Sequence, residues 1–404
     1  MITVQHEGSL ITVGVFGEFT VSDYQVFERE VLATLRLTGQ VDLLVDLRDM
    51  LKYTLDVAWE DIRFVRAHAH DFRRVAVIAR DEFTVWLGWL TRLLTNADVR
   101  VFDDEDSARD WATEGASITS VSTTMNYTTL ISVADLARQL GDPGLVVFDC
   151  RHDLVNKTIG GESYAKSHLA GAHFAHVDRD LAGPLTGRNG RHPLPDRDTF
   201  IAWLGRMGVT RQSQVVGYDS GGGMYGARLW WMLKHWLGHE KVAVLDGGWD
   251  AWVKTGHPVT AEVPKPSPAT YEAATAPGAV DVSYVLAHLG KPDMRVIDAR
   301  AADRFRGQNE TIDPVGGHIP GAVNRFFREN LDPMGFFKPA ADLHAAFEPL
   351  VKGMPLDQVV HSCGSGISAA HNILAMEVAG MRGTKLYPGS WSEWCADPAR
   401  PIET

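Results

Sequence analysis

Cysteine is scarce in this chain: three residues among 404, Cys150, Cys363 and Cys395, an odd number without metal-site spacing. That scarcity argues against a disulfide framework and fits a reducing cytoplasm. Basic charge is also short. Lys and Arg total 39 against 51 Asp and Glu, a formal net charge of -12, which leaves no electrostatic footprint for nucleic acid or anionic lipid. No run of 18 apolar residues occurs, and the N-terminus MITVQHEGSL lacks a basic region followed by an apolar one. Neither membrane insertion nor export is expected. The run Gly221-Gly222-Gly223 has neither dinucleotide-fingerprint spacing nor a P-loop lysine. His68 and His70, two apart amid charges, read as a surface pattern. What remains is a globular composition, 45% hydrophobic and 22% charged, on a chain too long for one core, so two to four domains are expected.

Apolar strand-like segments alternate with helical periodicity, the pattern of α/β layers with mainly parallel sheets. Two stretches read as linkers: the Ser/Thr-rich segment 116–124 and the Pro/Ala-rich segment from Pro258 to Pro277. Beyond the first linker the sequence repeats itself. Val146-Val147-Phe148-Asp149-Cys150-Arg151 recurs as Arg295-Val296-Ile297-Asp298-Ala299-Arg300, and His168-Leu169-Ala170-Gly171-Ala172 recurs as His318-Ile319-Pro320-Gly321-Ala322. Leu245 to Trp249 recurs as Leu386 to Trp391 with a one-residue shift. A duplicated domain follows.

One thiol stands out. Cys363 opens Cys363-Gly364-Ser365-Gly366-Ile367-Ser368-Ala369, after the apolar Val359-Val360 and before an amphipathic segment. Amides of a Gly-rich strand-to-helix loop converge on its centre, and the positive end of the following helix adds to them, which favours a thiolate. In the first copy the same place is held by Val215 to Gly223, with Asp219 where the second copy has Cys363. A carboxylate cannot accept sulfur as a thiolate does, so one copy at most is catalytic. Cys150 and Cys395 read as packing residues.

Together these residues resemble a tandem rhodanese-type sulfurtransferase with an inactive first copy. The resemblance runs from about Asn126 to Thr404 and includes the closing Gly389-Ser390-Trp391-Ser392-Glu393-Trp394. Within the family the neutral loop resembles the 3-mercaptopyruvate branch, with Ser368 where that branch has threonine. The resemblance implies a persulfide on Cys363, and proton handling by Ser365 with Asp178 and His192 of the first copy. It further implies a donor site made by Arg304, Gly364, Gly366, Ile367 and Ser368. The branch has a second arginine before Gly317-His318-Ile319-Pro320, but residues 307–317 contain no Lys or Arg and do contain Glu310 and Asp313. Arg306 and Arg325 are the candidates to replace it. A phosphatase on the same fold would need an arginine six residues past the cysteine, where Ala369 stands.

The first 115 residues resemble the SpoIIAA-like group related to the STAS fold. Val41 to Leu47 and Arg74 to Ala79 read as buried strands, and Val21 to Leu37 and Thr84 to Leu94 as helices. The segment from Trp86 to Leu90 reads as core-facing by its helical spacing. Asp46 is followed by Leu47-Arg48-Asp49, not by the serine that such antagonists phosphorylate. The expectation is therefore an α/β chain of three domains: a SpoIIAA-like domain over 1–118, an inactive rhodanese-like copy over 126–260 and an active copy over 278–404. Its expected work is sulfur transfer from 3-mercaptopyruvate to a thiol such as thioredoxin or a low-molecular-weight thiol, or to cyanide, without metal or organic cofactor. Thiosulfate as donor and a sulfur carrier without turnover are the alternatives.

Overall fold

The computed structural model describes residues 1–53, 72–79, 98–113 and 126–404. The helix expected over 84–94, the apolar segment within it, His68, His70 and the 116–124 linker lie outside the described residues. Two compact units divide the chain, one holding the N-terminal segment and the other both repeated copies. Among the described residues no helix is long and apolar enough to cross a membrane.

In the N-terminal unit, Ile2–Glu7 and Leu10–Phe19 form an antiparallel hairpin, and Val41–Tyr53, Phe72–Ile78 and Asp98–Phe102 extend it in parallel. The helix Val21–Thr38 starts at a capping box between Thr20 and Asp23 and stops at Gly39, which has a φ of 73°. Both ends follow directly from local residue chemistry. Val13, Val31, Leu44 and Val75 are among its buried apolar side chains.

The two repeated copies have one sheet order. In the first, Leu130–Ile131, Val242–Leu245, Gln214–Tyr218, Leu145–Asp149 and His173–Phe174 lie side by side, all parallel. In the second, a bridge at Ala279, then Lys385–Leu386, Val359–Ser362, Arg295–Asp298 and Val323–Asn324 repeat that sequence of partners. The central strands of both sheets are buried along their whole length, as a parallel sheet covered on both faces requires.

The repeated motifs are one structural device used twice. Arg151 and Arg300 each turn back on the strand-end aspartate two residues earlier, with Nη2 at 2.6 and 2.7 Å from Asp149 and Asp298. Each guanidinium also holds a carbonyl just before the repeated histidine, Ser167 at 2.6 Å and Gly317 at 2.7 Å. Above them lie the repeated tryptophans, Trp249 with its centroid 4.0 Å from Arg151 and Trp391 at 4.9 Å from Arg300. Burial at this point is tolerable because each charge is paired, hydrogen-bonded and stacked. The N-terminal unit uses the same turn once more, Arg48 on Asp46 with Nη2 at 2.6 Å.

The segment 258–277 is bound along the first copy rather than loose. Val259–Thr260 pairs with His168–Leu169, Ala269 and Ala274 donate to the Gly205 and Leu237 carbonyls, and Tyr271 is buried. Its prolines exclude a helix but not this extended attachment.

One apolar core joins the two copies, running from Val146 and Trp230 to Ile297 and Leu374. The helices that follow the two loops, Met224–Trp231 and Ser368–Val378, pack on each other. Their contacts are reciprocal. Arg228 Nη1 donates to the Gly366 carbonyl at 3.1 Å, and His371 Nε2 meets the Gly222 carbonyl at 3.0 Å. Gly366 and Gly222 are each the third residue past Cys363 and Asp219.

Candidate active site

Cys363 sits at the carboxyl end of the strand Val359–Ser362, the edge where open α/β sheets place their ligands. The loop after it is shaped by close backbone contacts. Gly366 has a φ of 78°, and a Cβ there would run into the Pro388 carbonyl oxygen, so only glycine fits. The closing segment docks on the loop: the Trp391 and Ser392 amides donate to the Cys363 and Gly364 carbonyls at 2.9 Å, and Ser390 Oγ accepts from the Cys363 amide at 3.1 Å. Gly366 N is then left to face Cys363 Sγ, at 3.1 Å. Ile367 is buried in the shared core, so its side chain packs and only its backbone is free for the loop. Ser368 opens the next helix.

Asp219 shows what such a loop binds. Its carboxylate accepts four amides, Gly221 and Gly223 on Oδ1 at 2.7 and 2.9 Å, Tyr225 and Gly226 on Oδ2 at 2.8 and 2.9 Å. The first copy has kept its anion cradle and filled it permanently with its own side chain.

The residues expected to handle protons come together across the copies. Ser365 Oγ is 2.7 Å from His192 Nδ1, and His192 Nε2 is 3.1 Å from Asp178 Oδ1. Lys157 pairs with the other Asp178 oxygen at 3.0 Å. Burial pushes His192 below the usual histidine range, against the pull of Asp178. The hydrogen bond from His192, with Lys157 behind it, holds the Asp178 carboxyl well below the usual carboxylate range. A neutral imidazole with Nε2–H on Asp178 leaves Nδ1 to accept the Ser365 hydroxyl proton.

Arg304 lies beside the loop with Nε and Nη2 on Glu310, at 3.0 and 2.8 Å, and Nη2 also 3.3 Å from Asp313. Neither candidate for the second arginine joins it in a shared contact: Arg325 is bonded to Glu329 and Asn330, and Arg306 is exposed. Two other cations, which the repeat pattern did not single out, do reach the loop. Arg191, the neighbour of His192, pairs with Asp313 and extends to Gly364. Arg228 is fully buried, and besides Gly366 it holds the Leu181 and His192 carbonyls at 3.3 and 3.1 Å. Burial pulls its guanidinium down to about 10, against the opposing charge of Cys363. A lone arginine within Tyr225-Gly226-Ala227-Arg228-Leu229-Trp230-Trp231 was the visible signal, because a buried helix face carries a charge only for a reason.

Comparison with known proteins agrees with this architecture. The Rhodanese-like domain family matches residues 132–255 and 269–397. The chain belongs to the rhodanese-like sulfurtransferase family. The SpoIIAA-like family matches residues 10–113. A probable 3-mercaptopyruvate sulfurtransferase of Pseudomonas aeruginosa is 44% identical over 283 residues, covering 69% of this chain and 99% of that protein. The thiosulfate sulfurtransferase of Bos taurus is 34% identical, covering 66% of this chain and 92% of that one. The solved 3-mercaptopyruvate sulfurtransferase from Leishmania major is 31% identical with a TM-score of 0.60, covering 66% of this chain and 74% of its own. This sulfurtransferase is therefore an enzyme of α/β fold whose rhodanese-like part follows a SpoIIAA-like segment.

Cys150 and Cys395 are buried, and burial pushes both thiols up. Among the described residues one group has metal-ligand spacing, His152, His176 and Asp178, with ligand atoms within 4.8 Å of one another. Two of its members are already engaged: His176 Nδ1 accepts from the Asp178 amide at 3.2 Å, and the Asp178 carboxylate is shared by His192 and Lys157.

Proposed function

We propose that the copy over 278–404 transfers sulfur from 3-mercaptopyruvate through a persulfide on Cys363, and that the copy over 126–260 contributes side chains without a nucleophile of its own. The observation that carries this reading is the 2.7 Å contact between Ser365 and His192, which joins the cysteine loop to a buried histidine and Asp178.

The Cys363 thiolate forms an S–S bond to the donor sulfur while the donor's C–S bond breaks, and the electron pair stays on carbon as pyruvate enolate. The donor's S–H proton passes to that carbon, leaving pyruvate and a persulfide anion. Ser365, His192 and Asp178 handle this proton, a service worth about 10²- to 10⁴-fold in rate. Splitting the transfer in two lets a thiol acceptor, such as thioredoxin or a low-molecular-weight thiol, take the outer sulfur as its own persulfide and return the Cys363 thiolate. The cradle around Asp219 supports the persulfide assignment, because it shows that a loop of this type can turn its amides on an anion, and Gly366 N already faces Cys363 Sγ at 3.1 Å. A reducing cytoplasm suits three unpaired cysteines.

Support for the donor comes from Arg304 beside a loop whose Gly364 and Ser365 are neutral, which suits one carboxylate rather than a dianion. The 44% identity to a probable 3-mercaptopyruvate sulfurtransferase points the same way. The test is sulfur transfer from 3-mercaptopyruvate and from thiosulfate at matched concentrations, with Cys363→Ser as control. Preference for 3-mercaptopyruvate, abolished in the variant, is the expected outcome. Preference for thiosulfate overturns the donor, and turnover by Cys363→Ser overturns the mechanism.

A further inference from the structure

The line of polar contacts that starts at Ser365 does not end at Asp178. Asp178 Oδ1 faces His192 at 3.1 Å, and Oδ2, a buried atom, stands 3.0 Å from the Lys157 ammonium. Exposure rises along this line, from 5% at the His192 side chain to 21% at Asp178 and 60% at Lys157. The other titratable groups around the carboxylate are His152 and His176, and His176 spends Nδ1 on the Asp178 amide at 3.2 Å. Arg191 and Arg228 act on His192 from the side of the cysteine loop. Among the described residues, Lys157 is thus the one cation paired with Oδ2. The segment that carries it is closed on itself. Asp153 Oδ1 accepts the Val155 and Asn156 amides at 2.9 and 2.7 Å, and Asn156 Oδ1 accepts the Thr158 amide and hydroxyl at 3.2 and 2.9 Å. Gly160 then packs so closely that a Cβ there would run into the Arg151 carbonyl oxygen.

We propose that Lys157 is a positioning residue for sulfur transfer: by pairing with Oδ2 it fixes the rotation of the Asp178 carboxylate, keeps Oδ1 on His192 Nε2 and so leaves Nδ1 to the Ser365 hydroxyl. The proposal rests on the reading of Ser365, His192 and Asp178 as the proton-handling chain and adds its outer end. The torsion that turns an aspartate carboxylate is broad, so a carboxylate held at one oxygen swings and one held at both does not. The nitrogen of His192 that carries the proton is set by the partner of the other ring edge, and that partner is the oxygen Lys157 aims. The repeat supplies a counterpart. Arg304 lies four residues past Arg300 and Lys157 six past Arg151, in the matching segment after each strand end. One duplicated segment therefore gives a cation to the donor site in one copy and to the proton chain in the other. The Lys157 ion pair is with Asp178, not with the cysteine loop or Arg304, so it acts on turnover rather than on donor affinity.

The test is a double-mutant cycle on the full chain, read as steady-state sulfur transfer from 3-mercaptopyruvate. Lys157→Met should lower kcat about fivefold, as expected for loss of one exposed ion pair, and leave KM within about twofold. Lys157→Arg, which keeps the charge, should return kcat to within about twofold of the wild type. The urea midpoint of either variant should stay close to the wild type, since an exposed pair contributes little to stability. Asp178→Ala should lower kcat by about 10²-fold, and adding Lys157→Met to it should change kcat by less than about twofold, because the lysine then has no carboxylate to aim. Wild-type kcat in Lys157→Met, or a further fivefold loss in the double variant, overturns the proposal. Wild-type kcat in Asp178→Ala overturns the parent chain instead, so the two failures are told apart.

Discussion

Arg228→Met is the most searching substitution, because one buried guanidinium holds both the cysteine loop and the histidine segment. Methionine replaces the stem closely in volume but removes three hydrogen bonds, to Gly366 at 3.1 Å, Leu181 at 3.3 Å and His192 at 3.1 Å. Each orphaned carbonyl costs about 1–3 kcal/mol. Relief from burying a charge that has no carboxylate partner among these contacts returns several kcal/mol. The net loss of stability should be small, about 1–3 kcal/mol, and the chain should stay folded.

Activity should fall much further. Without the guanidinium, the Gly366 peptide is free to turn away from Sγ, and His192 is free to shift relative to Ser365. A misplacement of about 1 Å costs on the order of 10²-fold in rate. Urea unfolding followed by tryptophan fluorescence, beside steady-state sulfur transfer, measures both quantities on one sample. Arg228→Lys should fall between, since an ammonium cannot span three carbonyls as a planar fork does. A methionine variant with wild-type kcat/KM and reduced stability would refute the argument and leave Arg228 as a packing residue alone.

Asp219→Asn should destabilise the unit of two copies by about 2–4 kcal/mol, because an amide offers one acceptor oxygen to four N–H groups and turns its own donors on two of them; an unchanged urea midpoint would contradict the cradle. Ser365→Ala and His192→Ala should each lower kcat with 3-mercaptopyruvate by about 10²- to 10⁴-fold, and the double variant should be scarcely worse than either single one. Additive losses would separate the two residues mechanistically. His361 and His371 are fully buried and burial pulls both down to about 3. Each is neutral when folded but takes up a proton when unfolded below the ordinary histidine range, so stability is full above about pH 6.5 and falls as the pH drops towards 3. Between about pH 5 and 6 the slope should approach roughly 1.4 kcal/mol per pH unit for each of the two, and His361→Leu should remove one share; an unaltered slope in urea titrations would show that His361 is protonated in the folded chain.

Much of the fold was legible because its signals are local. Thr20, Asp23 and Gly39 mark both ends of the first long helix, and the Asp-x-Arg strand ends mark the repeated sheets. The loop from Cys363 to Ser368 announces itself through glycines that permit its turn. The register of strand, loop and helix needs only neighbouring residues, so one copy could be aligned on the other and Asp219 identified as the substitute for the nucleophile. Asp178 and His192 were legible only through family resemblance, since alone each is an ordinary loop residue.

The chain order by itself determined that there are two related copies, that one carries a thiol and the other a carboxylate, and that the thiol stands in a turn suited to an anion. Tertiary structure alone decided where the cations come from. Arg191 and Arg228 reach the loop from sequence distances of 173 and 138 residues, to Gly364 and Gly366 respectively, and no short-range pattern encodes such a contact. The physical reason is that a guanidinium on a long stem is selected by the carbonyls, carboxylates and open space at its tip, and those are assembled only when the two helices close against each other.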